Sequence, residues 1–489
     1  LACDPKVDDT APENPEADAD TDTDADSDAD SDADADADTD ADTDLEIIPR
    51  WDPDDFTTVW EVGPGLDYED PCDCPWESIQ PDTLVRIHGR AEPYACKWDI
   101  DVVASADAPV VVLGVDGPVI TGDGARTPQG LDYWSESRGV IKIGGSSFPG
   151  PADPPAWIWV QGLEIRSAHP DYGFSDDHGN AGSYDSNASA LFLEEGDALW
   201  IVDNTLHDCG NGLFAASATS DVHVVANHIH GNGIDGSGYE HNSYTESLGI
   251  TFEYNHYEAP RPGSGGSNLK DRSSGTVVRY NWIEGGNRQL DLVESDYSHI
   301  IDDPSYRSTF VYGNVLVEHD GDGNSQIAHY GGDNADTDQY RAGTLYFFRN
   351  TVLSQRSGTT TLLRLSTDAE SADVRNNIVY TTAAGNRLAV FEGSGSVTLQ
   401  DNWINTGFRE THEASPSGTV TDLGNIGGAD PGFEDLVGLG LHLAAGSACD
   451  GAAGEPSPQT AEHPVDMQYL EHQRGEAREG REDLGAFEG

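Results

Sequence analysis

The chain has 489 residues, 89 Asp and Glu against 25 Lys and Arg, and a formal net charge of −64. Two large domains or one long repeat array fit that length, and 36% hydrophobic residues with ten Trp and eighteen Tyr are ample for a core. Phosphate binding needs clustered Lys and Arg, which argues against nucleic acid and anionic membrane as partners, and no apolar run approaches the roughly 18 residues that spanning a bilayer requires.

The first residues in chain order read as a processing site and a tether. Leu1-Ala2-Cys3 resembles the end of a bacterial lipobox, which implies a lipid on Cys3 and a place at the outer cell surface or outside the cell. Asp alternates with Ala, Thr and Ser from Asp18 to Asp44, a low-complexity run that buries no apolar surface and is expected to be disordered. Residues 1–46 thus read as a lipobox remnant and an acidic linker, with an extended reach of about 130 Å. The folded domain is expected over 47–489. It is acidic in its own right, and its lysines are Lys97, Lys142 and Lys270 only. Such a surface suits a protein kept soluble in high salt.

Cysteine usage fits export. Beside Cys3, the chain has Cys72, Cys74, Cys96, Cys209 and Cys449, which permit at most two disulfides, with Cys72 or Cys74 bonded to Cys96 as the first pairing. Cys72-Asp-Cys74 is not a zinc site, because no second ligand pair follows at zinc spacing.

Short β-rich runs then begin. Val85-Arg-Ile-His, Val110-Val-Val-Leu-Gly, Val140-Ile-Lys-Ile and Trp157-Ile-Trp-Val-Gln-Gly-Leu-Glu-Ile read as opening coils, with long loops at 121–137 and 167–186. From residue 200 onward each run ends in an apolar-flanked asparagine: Asn204, Asn227, Asn255, Asn281, Asn314, Asn350, Asn377 and Asn402, spaced 23, 28, 26, 33, 36, 27 and 25 residues apart. A fixed turn with variable loops is the signature of stacked coils, none of which can bury an apolar face alone. Asparagine at one corner tolerates the left-handed backbone of the turn and can ladder its amide from coil to coil. Helical periodicity is nearly absent. The fold class is therefore all-β, a right-handed parallel β-helix.

His207, His228 and His230 flank these corners and read as corner or surface histidines. Trp282 and Trp403 follow corner asparagines and are expected inside the coils, and Tyr257 to Gly266 is expected as a loop over a groove where Tyr257 stacks on a sugar. Gly446-Ser-Ala-Cys through Leu484-Gly-Ala-Phe-Glu resembles the closing segment of bacterial parallel β-helix proteins, which implies a cap on the last coil.

Asn268-Leu-Lys-Asp-Arg272, Tyr280-Asn-Trp-Ile-Glu-Gly-Gly-Asn-Arg-Gln-Leu-Asp291 and His329-Tyr-Gly-Gly332 resemble the core of exported bacterial β-helix proteins of the pectate-lyase-like kind. The resemblance spans 51–489 and implies carbohydrate without naming a substrate.

Counting back from the corners places Tyr244 beside Lys270, Glu246 beside Arg272 and Asn242 beside Asn268, with Asn268, Lys270 and Arg272 on one face of their strand. The following coils add Arg288, Asp291 and Glu294, then Gln326, His329 and Tyr330, then Arg364. Six of the body's 24 bases fall between Arg261 and Arg307, where an anionic ligand can dock. Such a stripe suits β-elimination on a uronic-acid polymer, which needs the carboxylate neutralised, a base at C5 and a proton donor for the leaving oxygen. Lys270 or Tyr244 is read as the base, with His241 a second candidate. Arg272 is read as neutralising the carboxylate or donating the proton, and its closeness is expected to depress the Lys270 pKa. Asn242, Asn268, Arg288, Gln326, His329, Tyr330 and Arg364 are read as substrate-binding.

The stripe resembles the chondroitinase B and alginate lyase family, which implies a Lys base, an Arg acid and a bound calcium ion. Stacking offers Glu246, Asp291 and Glu294 as its ligands. The chain departs from that family in carrying Lys270 and Arg272 on one strand. Other readings are a β-helix glycoside hydrolase using Asp291 with Glu294 or Glu246, a uronate C5-epimerase, and a non-catalytic glycan-binding surface protein. A single chain is expected to suffice.

Overall fold

The computed structural model describes residues 44–45, 47–145, 153–480 and 482–489. The lipobox remnant, Cys3 and the acidic alternation up to residue 43 lie outside the described residues. The last part of the expected linker, Asp44–Leu45, pairs antiparallel with the strand Arg474–Ala477.

The chain winds as a right-handed parallel β-helix with three faces. One face is an eleven-stranded parallel sheet that includes Thr205–His207, His228–His230, His256–Tyr257, Trp282–Glu284 and Val315–Glu318. The second is a parallel stack that runs through Ser274–Arg279, Ser308–Tyr312 and Thr344–Phe348. The third runs through Leu269–Asp271, Leu290–Leu292, Gln326–Tyr330 and Thr360–Leu365. Ser189–Val202, Asn211–Val225 and Ser243–Glu253 are long enough to serve the second and third faces in turn, with a register shift at the bend. Val, Ile and Leu on alternate positions of all three faces fill one continuous interior from Val62 to Ile404. Within the loops expected at 121–137 and 167–186, Ala125–Arg126, Gly173–Ser175 and Ala181–Ser183 form a small sheet of their own.

Corner asparagines ladder as expected. Each Nδ2 donates to the Oδ1 of the next, from Asn204 through Asn227, Asn255, Asn281, Asn314, Asn350, Asn377 and Asn402, and on to Asn425. The left-handed residue, however, is the one before each asparagine: Asp203 (φ 54°), Ala226 (φ 55°), Tyr254 (φ 56°), Tyr280 (φ 54°) and Arg349 (φ 55°). Asparagine is required at the corner for its inward amide, which satisfies buried backbone groups, and not for its tolerance of that conformation.

The C-terminal segment differs from the expected end cap. It runs back along the outside of the coils, where His463 stacks on Phe310 at 3.8 Å, His472 on His256 at 4.1 Å, and Gln473 donates to the Ala226 carbonyl. Trp282 and Trp403 are buried beneath this strap and not inside the coils, Trp282 against Tyr469 and Phe487, Trp403 against Leu443 and Leu484. Cys72 is bonded to Cys96, and Cys74, Cys209 and Cys449 are free and buried.

Candidate functional site

The third face carries an outward row built by strand alternation. Leu269, Leu290, Leu292, Ala328, Leu363 and Leu365 point into the core. Their neighbours turn outward and stack in register: Tyr244 opposite Lys270, Lys270 opposite Asp291, Asp291 opposite His329, and His329 opposite Arg364. Phe214 extends the row on one side and Glu392 on the other. Coils lie about 4.8 Å apart, so successive side chains meet across the ladder.

Lys270 Nζ lies 3.5 Å from Asp291 Oδ2 and 3.4 Å from Asp333 Oδ2. Burial pulls the Lys270 pKa down, but these two carboxylates outweigh it and the net direction is upward. Depression by Arg272 was the expectation; that guanidinium is itself engaged, 2.6 Å from Asp296 and 3.9 Å from Glu294. Burial pulls the Arg272 pKa down, but Tyr244, Asp296 and Glu246 outweigh it and hold the guanidinium above its ordinary range. Both side chains hold their charge while about nine-tenths shielded, at 12% and 11% exposed.

Tyr244 stands between the two cations. Its ring centroid is 6.0 Å from Lys270 Nζ and 5.5 Å from the Arg272 guanidinium carbon. Burial pushes the phenol up and the two cations oppose it, with the net direction upward. His241 meets the same ring edge-on at 5.4 Å, and its Nδ1 accepts the Ser267 backbone N–H at 2.9 Å. Burial, with Lys270 next, pushes His241 down to about 3, so the imidazole is neutral with its proton on Nε2. In that tautomer Nε2 carries the proton and the Nδ1 lone pair is taken by the Ser267 N–H.

Asp291 is the hub of the row. Its Oδ1 accepts from His329 Nδ1 at 2.9 Å and from Arg288 at 3.2 Å. Burial opposes ionisation, but the His329 hydrogen bond and the Lys270 charge hold the carboxyl well below the usual range. Arg288 also clamps Gln326 Oε1 at 2.8 and 3.0 Å, Gln326 donates to Glu392, and Arg364 pairs with Glu392 at 3.2 Å. Arg288, Gln326, His329 and Arg364 therefore join the stripe.

Other expected site residues do not. Asn242 and Asn268 are fully buried in a second amide ladder, Asn232 to Asn242 to Asn268, whose end donates to the carbonyls of Glu284 and Gly285. Tyr330 and Tyr257 point inward and are fully buried, Tyr257 bonding Ser243 at 2.9 Å. The bases between Arg261 and Arg307 divide in space: Arg261 pairs with Asp208, Arg279 with Glu253 on another face, and Arg307 donates to the carbonyls of Tyr340 and Arg341. Asp333, Asp296 and Glu392 were missed, because loop conformation and a more distant coil bring them to the stripe.

The expected calcium ligands are not assembled. Glu246 accepts from the Ser295 hydroxyl at 2.6 Å and the Asp296 N–H at 3.0 Å, and Glu294 accepts from the N–H groups of Asp333 and Asn334. Both are loop anchors. Asp291, His329 and Asp333 do bring ligand atoms within 4.8 Å of one another. That set does not fit calcium, which takes six to eight oxygens, and the Lys270 ammonium already sits within 3.5 Å of both carboxylates. A cleft of about 600 Å³ lies elsewhere, under the C-terminal strap at Tyr346, Phe348, Arg375 and His463, and shares no residue with the stripe.

No protein-family model matches the chain. No curated protein matches it either. Solved structures do. The pectate lyase Pel9A is similar with a TM-score of 0.48 and 11% identity, over 88% of this chain and 96% of that one. An alginate lyase from Paenibacillus sp. str. FPU-7 is similar with a TM-score of 0.42 and 11% identity, over 76% and 100%. A rhamnogalacturonan lyase has a TM-score of 0.41 and 11% identity, over 82% and 97%. At these scores and that identity the fold rests on the strand pairing of this chain itself.

Proposed function

We propose that this chain is a polysaccharide lyase that cleaves a uronic-acid-containing polymer by β-elimination. One observation carries the reading: two shielded cations, Lys270 and Arg272, flank a single phenol, Tyr244, on an outward row that continues across successive coils. A linear polyanion lying along that row meets cations where its carboxylate must be neutralised.

In the reaction the proton at C5 leaves, its electron pair forms the C4=C5 double bond, the C4–O bond breaks, and the departing oxygen takes a proton. No oxidant and no water is consumed. Lys270 and Arg272 hold the uronate carboxylate and stabilise the charge that develops on it when C5–H breaks. Tyr244 is the proton carrier: its oxygen takes the C5 proton as the phenolate and returns it to the leaving oxygen. The raised Lys270 pKa supports the neutralising role over that of base. Arg288, Gln326 and Arg364 extend the binding surface along the chain of the substrate, while His329 is buried and braces Asp291, held between that carboxylate and the Ser366 hydroxyl.

Hydrolysis is disfavoured, because Asp291 is bonded on both oxygens and Glu246 and Glu294 are bound to loop donors, so the named carboxylates are not free to act as acid and base. A surface polymer as substrate sets the place of action outside the cell, in keeping with the Cys72–Cys96 disulfide.

The test is a panel of alginate, pectate, hyaluronan, chondroitin, heparinoid and ulvan, read by the ultraviolet absorbance of the unsaturated product at high and low salt. The expected result is absorbance growth on at least one polymer, lost in Tyr244→Phe. Cleavage without that absorbance would point to hydrolysis, C5 inversion without cleavage to an epimerase, and tight binding with neither to a glycan-binding protein; each overturns the proposal.

A further inference from the structure

The eleven-stranded face carries a histidine array that the stripe does not use. Ile229 and Tyr257 point into the core, which turns His228, His230 and His256 outward, and His228 stacks in register on His256 and His256 on Trp282. The rings lie flat on one another along the helix axis: His207 on His230 at 5.0 Å, His228 on His256 at 4.9 Å, and His256 on His472 at 4.1 Å. Glu258 follows directly after the His256 strand and folds its carboxylate over the array.

Three of these residues converge. Glu258 Oε1 is 3.2 Å from His228 Nε2 and 4.0 Å from His256 Nδ1. One ligand atom from each of the three lies within 4.8 Å of the others. His228 Nε2 is buried and faces the Glu258 carboxylate, so two of the three ligand atoms already meet at one point. Behind the cluster, His256 Nε2 faces Glu284 Oε1 at 3.5 Å, and Glu284 is held in place by Trp282 Nε1 at 2.6 Å and His319 Nε2 at 2.9 Å. A carboxylate on the far nitrogen of an imidazole is the support that metal-binding histidines use to fix ring orientation and raise basicity. Glu258 is 48% exposed, so the point of convergence opens to solvent.

We propose that His228, His256 and Glu258 bind a divalent first-row transition ion of the zinc class, at a site on a different face from the Tyr244–Lys270 stripe. Two imidazoles and one carboxylate suit zinc, copper or nickel; calcium and magnesium prefer all-oxygen sets. Small rotations of Glu258 and His228 close the three atoms onto one ion, and water completes the coordination.

The test uses the full chain, stripped of metal, titrated with Zn2+ against a chromophoric chelator at high ionic strength to suppress loose binding to an acidic surface. Cobalt substitution supplies a visible spectrum of the site. One equivalent of Zn2+ is expected, with a nitrogen-and-oxygen Co2+ spectrum. Glu258→Gln and His228→Asn are expected to weaken binding about tenfold or more, and Glu284→Gln by about tenfold through loss of the supporting carboxylate. His178→Ala, an exposed histidine away from the cluster, is expected to change nothing. Glu258 is exposed, so its Gln variant keeps the fold, which far-ultraviolet circular dichroism checks. Absence of a one-to-one site, or equal binding by Glu258→Gln and His178→Ala, overturns the proposal.

Discussion

Replacing Asn281 by alanine removes one rung from the middle of the corner ladder. Asn281 Oδ1 accepts both the backbone N–H and the side-chain Nδ2 of Asn255 at 2.9 Å, while its own Nδ2 donates to the carbonyls of Phe252 and Arg279 and to Asn314 Oδ1. Asn255, Asn281 and Asn314 are fully buried, so water cannot replace what is lost. Two donors on Asn255 are left unsatisfied at about 1–3 kcal/mol each, which gives a cost of about 2–6 kcal/mol. Asn425→Ala is the internal control. That residue closes the far end of the ladder, accepting from Asn402 at 3.0 and 2.9 Å, but it is only part-buried and water can take its place. Denaturant unfolding measures the global loss, and amide hydrogen exchange at Asn255 reads the local one. If Asn281→Ala costs less than about 1 kcal/mol, or no more than Asn425→Ala, the amide ladder is not what holds the corners.

Arg341 and Asp271 form a buried ion pair at 3.0 Å, with Arg341 also donating to the carbonyls of Asp271, Ser273 and Val293. Arg341→Met alone should cost about 3–5 kcal/mol by melting, and adding Asp271→Leu should recover much of it, because the stranded charge is then gone. His241 gains no proton in the folded state until about pH 3, whereas the unfolded chain protonates near 6.5, so the unfolded state binds more protons between those values. Its contribution to stability is therefore fully present above 6.5 and lost as pH falls toward 3, and His241→Gln should flatten the slope of melting temperature across that window. Tyr244→Phe should lower kcat by about a hundredfold or more with KM little changed, as the loss of a proton carrier predicts. With the raised Tyr244 pKa, kcat/KM of the wild type should climb with pH through the alkaline range.

How much of this was legible in the sequence follows from what set each position. The asparagine corners repeat because every coil must satisfy the same buried backbone groups, and counting from them is enough to pair Tyr244 with Lys270. Strand alternation then orders Asp291, His329 and Arg364 behind them. Counting cannot say which of two alternating residues faces inward at a bend, and there Asn242, Asn268 and Tyr330 were taken for surface groups. Asp333 and Asp296 reach the row through loops, whose paths follow no period, and so the charge balance of Lys270 was read with the wrong sign. The strap from Gly446 to Phe487 is set by aromatic contacts across more than one hundred residues of sequence, such as Phe310 with His463; local patterning carries no trace of that. Glu258 was overlooked as a partner for the corner histidines because it follows a two-residue strand and turns back over them.

Digestion of a cleaved uronic-acid polymer in water enriched in oxygen-18 tests the central claim most directly, because elimination and hydrolysis differ in whether water enters the product. The account predicts unsaturated fragments with no label fixed at the new ends, formed by the wild type and not by Tyr244→Phe or Lys270→Met. Saturated fragments that carry one labelled oxygen, or unsaturated fragments formed undiminished by both variants, would contradict it.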